Sequence, residues 1–370
     1  MDERVLCERL ITYDTSTVAG IMSAAGFVKG WLEARDIEVR TETNNGVPVL
    51  AASVGAAKGP EIVLHGHLDV VPAATEQFQP RIEGDRLFGR GAYDMKGGLA
   101  AMMCATRDLV AQDAVRVHFV CVCDEESEED QNRGSDFAVE QMGLVGDFAI
   151  TGEPTDMQIG VQAKGVLLLR LEVHGRSAHG STPWLGDNAV LKAMDVFRAI
   201  ESLPFARESS ELFDRPSINL GRVAGGDVPN KVPERCTIDV DIRYLPGQDA
   251  DAILAEVQKL PDIEVKTCFR RDPVVVSRTN PYVALLAQAV VAGGPSADRI
   301  SVGRDGASDI VSWLEAGIPG VEFGPEGAGH HGPEEWVSIP SLERYRIALV
   351  DFAGLVGKRR GQDAPQLRVA

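Results

Sequence analysis

Apolar and polar positions along the chain fall into two textures. In the first part, segments with helical spacing at 3–12, 19–34, 97–111 and 134–142 alternate with short, solid apolar runs. Asp14, Thr15, Ser16 and Thr17 supply turn and cap chemistry between the first two helices. Extended segments at 37–42 and 48–54 flank Asn44-Asn45-Gly46, a turn signal. The solid runs lie at 61–65, 115–123, 147–151 and again at 319–323, and they read as buried strands. Strands alternating with helices predict an α/β fold built on a largely parallel sheet.

The second texture occupies 164–273. A strand at 165–173, a helix at 187–203, strands at 217–224 and 232–243, a helix at 249–260 and a strand at 263–269 follow in the ferredoxin-like order βαββαβ. The first texture resumes at 280–292. The pattern predicts an inserted domain, 164–273, within a discontinuous domain of 1–163 and 274–357. The stretch 358–370 is polar, lacks periodicity and is expected to form a flexible tail.

Charge narrows the partners. The 370 residues carry 55 acids against 37 Lys and Arg, a formal net charge of −18. Nucleic acid and anionic membrane surfaces, which reward a basic patch, are therefore disfavoured. No apolar run approaches the ~20 residues that span a bilayer. Met1-Asp2-Glu3-Arg4 lacks the layout of a signal peptide, and six cysteines in so long a chain fit a reduced interior, so a cytoplasmic location is expected. No Walker-type phosphate loop occurs.

The chemistry gathers where the strands end. The first run leads into His65-Gly66-His67-Leu68-Asp69, the second into Asp124-Glu125-Glu126, the third into Thr151-Gly152-Glu153-Pro154. The fourth leads to His330-His331-Gly332-Pro333-Glu334-Glu335, and Gly89–Gly98, containing Asp94, opens the helix after the first strand. Ligand sites in open α/β sheets form beyond the carboxyl ends of the strands. A crest of imidazoles and carboxylates is divalent-metal chemistry, suited to zinc, with cobalt or manganese as substitutes. Five candidate ligands exceed the need of one tetrahedral ion, and a bridging carboxylate would let them serve two ions about 3.5–4 Å apart. Of two adjacent glutamates, one can bind metal while its neighbour moves protons.

These residues carry a family resemblance. Val63-Leu-His-Gly-His67-Leu-Asp69-Val-Val-Pro72, Gly89–Gly98, Asp124-Glu125-Glu126, Gly152-Glu153-Pro154-Thr155 and His331-x-x-Glu334-Glu335 resemble the signatures of a di-zinc amidohydrolase family. That family includes acetylornithine deacetylase, succinyl-diaminopimelate desuccinylase, aminoacylase-1 and carboxypeptidase G. The resemblance implies a zinc-peptidase-like mixed, mostly parallel sheet flanked by helices, with the insert as a lid and dimerisation domain. It implies His67 and Glu153 on one zinc, Glu126 and His331 on the other, and Asp94 bridging. It further implies Glu125 as general base and Asp69 as the buttress of His67.

In the insert, His179 resembles a lid histidine lent across a homodimer interface to the reacting carbonyl. Asn230 and Arg243 resemble substrate-holding groups, and a guanidinium is a natural clamp for a carboxylate. The competing reading of Arg243 is a strand-end pair with Asp239 or Asp241. Segment 303–309 sits where the family carries a substrate loop. One departure is the long acidic stretch 127–133 before Gly134, which lies next to the implied metals. His65 lacks the Asp that follows His67 by two, and His330 lacks the four-residue spacing to Glu335, so both are read as supporting groups. His118 and His174 are read as structural, and Cys121 and Cys123 as buried thiols rather than zinc ligands. The expected activity is hydrolysis of an N-acyl amino acid, or of a short peptide with a free carboxylate. A dipeptidase, a carboxypeptidase, an N-carbamoyl amidohydrolase and a non-catalytic metal-fold binding protein are the alternatives.

Overall fold

The computed structural model describes residues 2–126, 132–292 and 302–360. Of the acidic stretch before Gly134, residues 127–131 lie outside the described residues. At the centre of the main sheet, the strands Arg116–Val122, Glu61–His67, Phe148–Thr151 and Gly320–Glu322 lie side by side and parallel. Antiparallel partners extend both flanks, with Val39–Asn44 and Val47–Gly55 beyond the first and Gly160–Ala163 beyond the last. Every residue of Phe148–Thr151 is buried, as the solid apolar runs require.

Helices cover the sheet. Glu3–Ile11 starts with the Asp2 carboxylate accepting from Val5 N, and Val18–Glu33 starts with the Thr17 hydroxyl accepting from Gly20 N. Gly97–Asp108 is buried over its first ten residues, packed against Glu3–Ile11 and Ile339–Arg360. Ile339–Arg360 takes in the first three residues of the stretch expected to be a tail, and residues 361–370 lie outside the described residues.

Within 164–273 the strands lie in the order Ser217–Gly225, Arg235–Tyr244, Gly165–His174, Ile263–Arg271, all antiparallel. This is the strand order of the ferredoxin-like motif. Alternate residues Leu167, Leu169, Leu171 and Val173 meet Ile238, Val240 and Ile242, and the helices Ala189–Ile200 and Ala250–Val257 bury their apolar stripes on that face. This core is separate from the one under the main sheet.

A small sheet that the apolar pattern does not reveal completes the site. Gly327–Ala328, Trp336–Ser338, Arg86–Phe88 and Arg81–Glu83 pair antiparallel in that order, with Trp336 opposite Phe88. It staples the segment approaching Asp94 to the loop that carries His331. Among the described residues, no helix is long and apolar enough to cross a membrane.

Candidate metal centre

Because the central strands are parallel, their carboxyl ends share one edge of the sheet. His67 ends its strand, Glu125 and Glu126 follow Arg116–Val122, and Glu153 lies two residues beyond Phe148–Thr151. Met95 packs onto this strand end because Gly66 has no side chain; a methyl group there would meet Met95 Cε at 2.6 Å. Asp94 arrives on the turn leading into Gly97–Asp108, and His331 on the loop beyond Gly320–Glu322.

The Asp94 carboxylate lies between two imidazole–carboxylate pairs. Its Oδ1 is 3.2 Å from His67 Nε2, which is also 3.8 Å from Glu153 Oε1. Its Oδ2 is 3.7 Å from His331 Nε2, which is 2.9 Å from Glu126 Oε1. Ligand atoms of His67, Asp94 and Glu126 all lie within 4.8 Å of one another. Glu153 Oε1 is buried without a hydrogen-bond donor among the described residues. Such an atom is costly unless something absent satisfies it, and imidazole nitrogens with carboxylate oxygens are a zinc-type donor set. The residues present therefore fit a divalent metal.

Charge is confined here, and each group answers to its surroundings. Burial, with the Asp94 charge beside it, pushes the Glu153 carboxyl well above its usual range. Burial also acts to raise Asp94, but the hydrogen bond and charge of His67 and the charge of His331 hold it below its ordinary value. Burial opposes the charged form of His67, and the Asp69 and Asp94 carboxylates more than offset that. Glu125, half-buried beside these groups, is pushed up to about 8, first by burial.

The supports are as informative as the candidate ligands. His67 Nδ1 lies 3.0 Å from the Asp69 main-chain carbonyl and 3.6 Å from its Oδ1, while Asp69 Oδ2 accepts from Glu126 N at 2.8 Å. Asp69 thus links the His67 strand end to the backbone of the glutamate pair. Glu335 is buried, and the sequence marks it only as part of a motif. It accepts from the main-chain N–H groups of Gly91, Tyr93 and Asp94 at 2.9, 3.0 and 3.0 Å and from Arg90 Nη1 at 2.8 Å. That carboxylate sets the turn presenting Asp94, in which Gly91 has a φ of +79° that favours glycine. The only sequence signal for it was its place four residues after His331.

The other named residues lie elsewhere. His65 packs on Trp313, its Nδ1 2.8 Å from Thr151 Oγ1, and burial pushes it down to about 4. The His330 ring centroid is 5.9 Å from that of Tyr93. His179 and Asn230 are brought together: Gly180 N donates to Asn230 O at 2.7 Å, and His179 pairs with Lys231 across a β-bridge. The exposed His179 ring turns to the Ser181 hydroxyl at 2.8 Å. Arg243 is taken up by Asp241, Nε donating at 2.9 Å and Nη2 at 3.0 Å. Among the described residues, no hydrogen bond or ion pair joins His179, Asn230 or Arg243 to the acid and imidazole cluster.

Comparison with known proteins bears on the same residues. The description "peptidase family M20/M25/M40" matches residues 63–354, a span holding every group of the cluster. The chain belongs to this family. It is 28% identical to a succinyl-diaminopimelate desuccinylase of Gluconobacter oxydans over 91% of each chain. It is 27% identical to carboxypeptidase G2 of a Pseudomonas species, over 91% of this chain and 85% of that one. Among solved structures, an M20 metallo-carboxypeptidase of Sulfolobus solfataricus shares the fold with a TM-score of 0.79 at 20% identity, over 97% of this chain and 100% of that one. The family is metal-dependent, typically through zinc, and this member is a metallohydrolase of amide or peptide bonds.

Proposed function

We propose that the chain is a two-zinc deacylase that hydrolyses the amide bond of an N-acyl amino acid. The observation that carries this reading is the Asp94 carboxylate, whose two oxygens face two different imidazole–carboxylate pairs. His67 and Glu153 would hold one ion, Glu126 and His331 the other, with Asp94 shared. When bound, a divalent metal supplies Lewis acidity that polarises a carbonyl and makes water ionisable near neutral pH.

The chain's own groups supply the rest. Glu125, raised by burial and free of the four inter-residue contacts that tie the neighbouring acids and imidazoles together, takes the proton of the attacking water and returns it to the leaving amine. His179, lent by the partner of a homodimer formed through the 164–273 unit, donates to the developing oxyanion. Arg243 holds the substrate carboxylate, which requires it to exchange Asp241 for substrate when the unit at 164–273 closes, and Asn230, which precedes the opposite end of that strand beside His179, joins it from the partner chain. No disulfide joins any of the six cysteines, in keeping with a reducing cytoplasm.

The test is hydrolysis, with zinc supplied, of N-acetyl, N-succinyl and N-carbamoyl derivatives of basic, acidic and apolar amino acids beside the matching dipeptides. The reading expects an N-acyl derivative to be cleaved fastest. Fastest cleavage of dipeptides would replace it with the peptidase reading, which the carboxypeptidase relative keeps open. Fastest cleavage of N-carbamoyl compounds would replace it with an N-carbamoyl amidohydrolase.

A further inference from the structure

Arg133 follows the stretch outside the described residues and is not part of any motif quoted from the sequence. It forms the N-terminal cap of the helix Gly134–Glu140, where its main-chain N donates to Asp136 Oδ2 at 3.1 Å. The next residue is tied back to the glutamate pair, since Gly134 N donates to the Asp124 carboxylate at 2.9 Å. The Arg133 backbone is thus fixed to the residue immediately before Glu125.

Its side chain then turns onto Glu125 itself. Nη1 donates to the Glu125 main-chain carbonyl and lies 3.5 Å from Glu125 Oε1. The same nitrogen is 3.7 Å from Asp309 Oδ1, and the guanidinium carbon stands 5.1 Å from the centroid of the Phe269 ring. Asp309 is itself wedged, 2% exposed, with His65 Nε2 3.8 Å from one oxygen and Arg271 Nη2 3.7 Å from the other. Arg271 is anchored by Asp136 at 2.8 Å and by the Ser312 hydroxyl at 2.9 Å. Arg133 therefore has a rigid carboxylate behind it, an aromatic face beside it and Glu125 in front. Its side chain is only 12% exposed, which suits a support better than a substrate contact.

We propose that Arg133 is a positioning residue for the general base: its guanidinium, braced by Asp309 and Phe269, fixes both the backbone and the carboxylate direction of Glu125. The proposal rests on the reading of Glu125 as base. All three polar contacts run through Nη1, which the planar guanidinium holds in place against Phe269, whereas a lysine ammonium is a point charge on a flexible stem with no plane to stack. A reacting group displaced by about 1 Å can cost about 10²-fold in rate, so the orientation of Glu125 is where such a brace acts. Phe269 belongs to the strand Ile263–Arg271, so the brace also joins the base to the four-stranded sheet of 164–273.

The experiment measures kcat, KM and zinc content of the zinc-loaded full chain, wild type, Arg133→Ala, Arg133→Lys and Glu125→Gln, on the best substrate of the panel above. Arg133→Ala is expected to lose about 10²-fold in kcat with KM and zinc content unchanged, and added guanidinium to restore part of the rate. Arg133→Lys, which keeps the charge and tests the proposal even where the alanine variant fails to fold, is expected to fall between the two. A raised KM at unchanged kcat, a loss of zinc, or a fully active lysine variant would overturn the proposal while leaving Glu125 in place. Wild-type turnover by Glu125→Gln would remove the base reading, and the positioning role with it.

Discussion

The edge of the main sheet and the two ends of the four-stranded sheet carry the two halves of the expected machinery, and they are built differently. At the edge, the acids and imidazoles stand at the ends of adjacent parallel strands, or on the turn and loop that meet them there, and are cross-tied by buried carboxylates: Asp69 to Glu126, Glu335 to the Asp94 turn. At one end of the four-stranded sheet His179 and Asn230 are exposed, and at the other end Arg243, opposite Val166, is satisfied by Asp241 on its own strand. The first half is assembled within one chain by the fold itself. The second is held in a self-satisfied state, and on the proposed function it would have to move or meet a partner to act. A parallel-strand edge converges side chains at fixed spacing, whereas an exposed antiparallel sheet offers each side chain a neighbour of its own.

That contrast can be broken at several points. The largest effect falls on Glu125→Gln, expected to lose about 10²–10⁴-fold in kcat with fold and zinc content intact. Full activity would separate Glu125 from the chemistry. Next is Glu335→Gln, which keeps the volume but not the charge that gathers three N–H groups and Arg90; zinc affinity is expected to drop about 10–100-fold. Zinc affinity equal to wild type would mean that the Asp94 turn holds itself.

On the other half, Arg243→Met is expected to raise KM roughly 10-fold at unchanged zinc content, as for loss of one charged hydrogen-bonding partner. An unchanged KM would leave Arg243 as the partner of Asp241 and nothing more. His179→Ala subunits mixed with Glu125→Gln subunits are expected to recover part of the wild-type turnover, because one site of each mixed dimer would be intact. No recovery would confine His179 to its own chain or remove it from the site.

The smallest effect concerns His118, on the strand Arg116–Val122 but away from the cluster. Burial, and the Arg116 charge, lower its pKa against the opposing pull of Glu61, and Ser53 Oγ lies 2.8 Å from its Nδ1. The unfolded chain therefore binds a proton first as pH falls, and stability drops from about pH 6.5 downward. Thermal melts of wild type and His118→Gln between pH 7.5 and 5.5 should show the larger loss in the wild type. Parallel curves would contradict the assignment.

Much of the fold and the cluster was legible because strand ends are local features. His67, Glu126 and Glu153 each follow an apolar run whose length and solidity announce a buried strand, and parallel packing does the rest. The ferredoxin-like order was legible for the same reason. The supports were not. Glu335 meets Asp94 across 241 residues of sequence, and Arg271 meets Asp136 across 135, so no periodicity marks either pair. The small sheet pairing Trp336 with Phe88 is made of two- and three-residue strands, too short for alternation to register. Arg243 shows the opposite case: its bond to Asp241, two residues away on one strand face, is a local possibility visible in the sequence.

The central claim is that two metal ions share Asp94. It is tested most directly by the zinc stoichiometry of chelator-stripped, reloaded protein, wild type beside Asp94→Asn. The account predicts two tightly held ions per chain in the wild type and at most one in the variant. A single ion in both would contradict it.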